Sequence, residues 1–156
     1  MASVRNSYSE LYERDYYAWL QDQVRALRER RIEDVDWENV AEEIDDLAKS
    51  ERRGVESQMV RLLEHLLKLR YARETLRRNN ARGWQLSVKD ARVAAEKLLD
   101  ESPSLRPLIP EMMGHAYRRG RLAALRKARL PDEAIPEGCP WMAEQIMDDN
   151  FLPAKD

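Results

Sequence analysis

A chain of 156 residues with a single cysteine is the size of one ordinary domain, and it must hold itself together by core packing because one thiol supplies no disulfide framework. Its 27 Lys and Arg nearly cancel its 29 Asp and Glu, and the resulting pI of about 5.8 lacks the strongly basic character, a pI above about 9, that marks many nucleic-acid-binding domains. No apolar run approaches the roughly 18 to 20 residues of a membrane span, and the polar opening MASVRNSYSE has no apolar signal core, so the expected setting is cytoplasmic.

Residues 1–9 read as a flexible N-terminus. A first helix is predicted from about Glu10 to Arg31, with Ser7 and Glu10 spaced as a capping box and Asp15 as a second possible start. Its apolar stripe is Tyr16, Leu20, Val24 and Leu27, flanked by Tyr12 and Trp19, while Asp22, Arg25, Arg28 and Glu29 face solvent. Ile32 to Asp36 reads as a turn, with Asp36 placed to cap the next helix.

That next helix, from Trp37 to Tyr71, is the longest uninterrupted helical pattern. Gly54 weakens it without breaking it, because the apolar phase continues through Val55. Trp37, Ala41, Ile44, Ala48, Glu51, Val55, Gln58, Leu62, His65 and Leu69 lie alternately four and three apart and so share one side. Glu51, Gln58 and His65 therefore form a candidate buried polar stripe within an otherwise apolar seam. A buried Glu51 needs a cation, with arginine the natural partner. Glu51 and His65 stand about 21 Å apart along the helix, so they cannot share one site.

Ala72 to Arg82 is arginine-rich and, with Asn79, Asn80 and Gly83, reads as a frayed helix end and a loop. A third helix then runs from Trp84 to about Asp100 on Trp84, Val88, Ala91, Ala95 and Leu98, and Ser102-Pro103 stops it. Pro107 and Pro110 fit the start of a fourth helix. Its face of Ile109, Met113, Ala116, Gly120 and Ala123 is small enough for a neighbour to approach closely, and Pro131 ends it. The proline-rich tail, 131–156, is expected to wrap the bundle with one short helix near Pro140 to Met147, anchored by Trp141, Ile146, Phe151 and Leu152. The architecture expected is all-α: a single-domain up-down helical bundle of about four main helices around the long central one.

Several blocks, LYERDYYAWL (11–20), DWENVAEEI (36–44), SERR (50–53), LLEHLLK (62–68), SPSL (102–105), CPW (139–141) and NFLP (150–153), resemble the bacterial domain-of-unknown-function family 29 over about residues 11–153. The resemblance implies a small all-helical cytosolic bacterial protein and no activity. It marks Asp15, Trp37, Glu42, Glu43, Glu51, Arg52, Arg53, Glu64 and His65 as candidates because they stand in matching blocks.

Function classes separate on chemistry. Glu111 and His115, an i,i+4 pair, are the weak metal-ligand candidates, but there is no Glu-x-x-His of the di-iron kind, and no metal or other cofactor is expected. Cys139 sits before a proline, without a nucleophile elbow or phosphate loop anywhere, and reads as a packed small hydrophobe. A nucleic-acid alternative rests on Arg70, Arg73, Arg77, Arg78, Arg82 and Trp84, with a second basic patch over 118–129. The preferred reading is a non-catalytic interaction or assembly module that binds itself or another protein. Its charge is segregated: Glu33 to Asp46 holds eight acidic and no basic residues, and Tyr117 to Leu130 six basic and no acidic ones.

Overall fold

The computed structural model of the protein describes residues 10–154. Every regular element among them is helical, the class expected. We number the α-helices α1 (Tyr16–Arg28), α2 (Trp37–Tyr71), α3 (Glu74–Glu101), α4 (Ile109–Ala128) and α5 (Ala143–Met147). Short 3-10 turns cover Ile32–Asp34, Pro103–Leu108 and Asp132–Ala134. The chain clusters into two compact units, Met1–Ser50 and Glu51–Asp156, with α2 unbroken through the boundary.

In the first unit the helix expected over 10–31 is interrupted at Asp15, leaving helical residues 10–14 before α1. Asp15 explains the interruption. Its Oδ1 accepts from the Ala18 N–H at 3.0 Å, so it serves as the N-cap of α1. The Ser7 capping box lies outside the described residues, as does the flexible N-terminus. Asp36 caps α2 as expected, its Oδ1 accepting from the Asn39 N–H at 3.5 Å. The stripe assigned to α1 is corrected: Trp19, Gln23 and Ala26 are buried, while Tyr16, Val24 and Leu27 are exposed. Trp19 sets this rotation, because its ring is buried and its Nε1 donates to Asp36 Oδ2 at 3.2 Å.

In the second unit the C-terminal half of α2 is the core. Val55, Met59, Leu62, Leu63, Leu66 and Leu67 are buried and occupy more than one side of the helix, the pattern of a helix surrounded by others. α3 contributes Val88, Ala91, Ala95 and Leu99, α4 contributes Met112, Ala116, Ala124 and Leu125, and the tail adds Ile135 and Ile146. The small-residue expectation for α4 is met at Gly120. A Cβ there would stand 3.1 Å from Leu63 Cβ, 3.1 Å from Val60 O and 3.2 Å from Glu64 N, so α2 and α4 cross almost backbone to backbone.

The frayed helix end and loop expected over Ala72 to Gly83 are corrected to a two-residue break. Only Ala72 and Arg73 interrupt the helices, and Asn79, Asn80 and Gly83 lie inside α3. Leu76 and Ala81 pack against the core, and Asn80 Nδ2 donates to Leu76 O at 2.7 Å, so tertiary contact overrides weak propensity. In the tail, Trp141, Ile146 and Phe151 are anchors, with Trp141 and Phe151 edge to face at 5.8 Å, but Leu152 is exposed. Cys139 is half-buried and its Sγ donates to Trp141 O at 3.3 Å.

Candidate protein-interaction surface

The first unit has little core. Among residues 10–50 only Trp19, Ala26 and Val35 are buried apolar side chains, whereas Tyr16, Tyr17, Val24, Leu27, Ile32, Trp37, Ile44 and Leu47 are exposed. Polar contacts hold it together instead. Glu43 accepts from Tyr12 OH at 2.6 Å and from Tyr16 OH at 2.5 Å. Hydrogen bonding to Glu43 pushes the Tyr12 phenol up to about 12 and raises Tyr16 as well, so both donate at any physiological pH. Asp36 accepts from Trp19 and from Asn39 Nδ2, and its own N–H donates to Gln23 Oε1 at 2.8 Å.

This arrangement fixes which side of α2 meets the first helix. Asp36, Asn39 and Glu43 occupy it, with Val40 half-buried among them. The seam of Trp37, Ala41, Ile44 and Ala48 is rotated away and faces solvent: Trp37 is 55% exposed, Ile44 61% and, beside them, Leu47 68%. The expectation that this seam is buried along the whole helix is thereby corrected, and the burial begins only at Val55. Glu38 and Glu42, both exposed, line its edge.

Glu51 falls with that correction. It is exposed and accepts from Ser102 Oγ at 3.4 Å, and no cation among the described residues pairs with it. Gln58 and His65 are half-buried, and Gln58 Oε1 and His65 Nδ1 are enclosed without a hydrogen-bond partner among the described residues. Burial, then the positive charge of Lys68, lower His65 to about 4, so it is neutral at pH 7.

The buried charges that sequence reasoning missed lie nearby. Glu64 is buried, accepting from Lys68 Nζ at 2.7 Å and from Lys127 Nζ at 3.0 Å. Burial alone would raise its carboxyl, but the bonds from Lys68 and Lys127 win and hold it below the ordinary range. The i,i+4 spacing of Glu64 and Lys68 is visible in the sequence, although their burial is not. Arg92 is also buried: its Nε donates to Ile146 O and an Nη to Phe151 O, both at 2.8 Å, so it pins the tail to α3. Its only trace in the sequence is that it stands at apolar spacing between Val88 and Ala95.

The arginine patch is largely engaged. Trp84 is buried, with Lys68 Nζ 5.2 Å from its ring centre, and offers no face for a base to stack on. Arg77 pairs with Glu74, and Arg70 donates to Ala154 O at 2.5 Å; Arg73, Arg78 and Arg82 are exposed. In the second patch Arg121 is bound to Asp132 and to the Ile135 and Pro136 carbonyls, and Lys127 to Glu64. Arg52 and Glu111 form an ion pair at 2.8 Å, and the His115 ring meets Arg118 at 3.2 Å. Arg53 is exposed. Among the described residues, no group of three or more His, Cys, Asp or Glu gathers where a metal ion would fit, and no helix is long and apolar enough to cross a membrane.

No curated protein and no solved structure matches the chain. The profile of one family, described as a domain of unknown function, matches residues 11–152, nearly the whole length. The chain thus belongs to the DUF29 family, in agreement with the sequence blocks that pointed there.

Proposed function

We propose that the protein is a non-catalytic helical interaction module of the bacterial cytoplasm, and that the exposed seam of α2 is where it binds another polypeptide. One observation supports this most: a single helix continues the same four-three apolar spacing from Trp37 to Val55 and beyond, yet Trp37, Ala41, Ile44 and Ala48 are exposed among the described residues. With three buried apolar side chains among its described residues, the unit gains little from burial, and a partner helix laid on the seam supplies what it lacks. The lone, half-buried Cys139 fits a reducing compartment.

A photo-cross-linking residue at Ile44, introduced in the native host, tests the reading, with Glu137 in the exposed tail as the control position. The expected result is a protein adduct at 44 that is absent at 137 and disappears when Trp37→Asp is added. No adduct at 44 would refute the proposal.

A further inference from the structure

We infer that the partner at this seam is a basic amphipathic helix of another protein, an assignment that rests on the interaction reading above. The seam from Trp37 to Ala48 is about 16 Å long at 1.5 Å per residue, three helical turns, and its two small residues, Ala41 between Trp37 and Ile44 and Ala48 beyond Ile44, let a partner backbone approach. Its edge carries a specific charge. Glu38 and Glu42 are exposed, pair with no cation among the described residues, and stand i,i+4 on the helix, a like-charge spacing that destabilises the helix by itself. The N-terminal end of the helix dipole offsets part of that cost. Lysines or arginines flanking an apolar stripe on the incoming helix would relieve the rest.

The same charges disfavour the other occupants. Glu33 to Asp46 contains eight acidic and no basic residues, so a second copy laid along this seam brings two negative segments together. The first cation beyond it, Lys49, is already held by Asp45 at 2.8 Å and Asp46 at 3.1 Å. Phosphate backbones and anionic membranes meet the same repulsion.

The test is a library of helical peptides with a fixed leucine stripe and flanks drawn from Lys, Gln and Glu, titrated against the full chain and followed by tryptophan emission. Lys-flanked peptides should bind about tenfold tighter than Glu-flanked ones at low salt, and the gap should close as salt rises. Ile44→Asp should abolish binding, and the paired variant Glu38→Lys with Glu42→Lys should invert the flank preference. Both changes sit at exposed positions, and unchanged helical circular dichroism verifies that the variants fold. A preference for Gln or Glu flanks, no binding by any peptide, or binding that survives Ile44→Asp would overturn the inference, as would self-association of the chain that Ile44→Asp removes. If the Ile44 adduct proves to be a second copy, the interaction reading stands and the basic-helix assignment falls. If neither adduct nor peptide binding occurs, both fall.

Discussion

His65 ties one side chain to the pH dependence of the whole protein. Its imidazole is lowered to about 4 by burial and by Lys68, with Arg61 and Lys127 adding to the effect and Glu64 opposing it. Above about pH 6.5 both folded and unfolded chains keep it neutral; between there and about pH 4 the unfolded chain takes up a proton that the folded one refuses. Stability therefore falls as pH falls through that window, by on the order of 1 to 3 kcal/mol, and thermal melts of His65→Gln should be flatter there than those of the parent. Glu64 has the depressed carboxyl of a paired acid, so its contribution is fully present above the ordinary carboxylate range and is lost as pH falls through and below that range. Glu64→Gln strands the buried Lys68 and should cost about 3 kcal/mol or more in urea titration, whereas adding Lys68→Met should recover most of that loss. The sequence revealed the polar column of Glu51, Gln58 and His65 but not its fates, because spacing gives azimuth along a helix and says nothing of where the covering helices stop. The same limit hid Arg92: an arginine at apolar spacing looks like an exception until the tail carbonyls that satisfy it are in place.

At the level of elements, the α2–α4 crossing is the tightest constraint. Gly120→Ala places a methyl against the Val60 carbonyl and the Glu64 amide, backbone atoms that cannot swing aside, and should destabilise by about 1 to 3 kcal/mol. Gly114, where nothing lies within 4 Å of an added Cβ, is the matched control, and Gly114→Ala should be neutral or slightly stabilising by about 0.5 to 1 kcal/mol in the same urea titration. α4 was legible because small residues recur at helical spacing and have few other uses. The start of α3 was not: Asn79, Asn80 and Gly83 are turn formers by local chemistry, and only the packing of Leu76 and Ala81 makes them helical. α1 shows a third kind of limit. Its aromatic-rich sequence offers two apolar faces one residue apart, and the hydrogen bond from Trp19 to Asp36 decides between them.

Over the whole molecule, burial is uneven, and stability should follow it. Hydrogen exchange is expected to be fast across Tyr16–Arg28 and slow across Val88–Leu99, since few apolar contacts protect the former and a continuous core protects the latter. Equal protection of both segments would show that residues 10–50 draw stability from something other than burial. The all-helical class and most helix boundaries followed from periodicity, yet the exposed half of α2 did not, because an exposed seam and a covered one have the same spacing. Only three apolar side chains are buried among the described residues of the first unit, so its folded form has much to gain from a ligand. A ligand that binds only the folded form adds about 2.7 kcal/mol at a hundredfold excess over its Kd, and degradation samples the open form when opening is fast. Copies without a partner would then be the first that proteases remove, and the amount of this protein would track the supply of whatever covers Trp37 and Ile44.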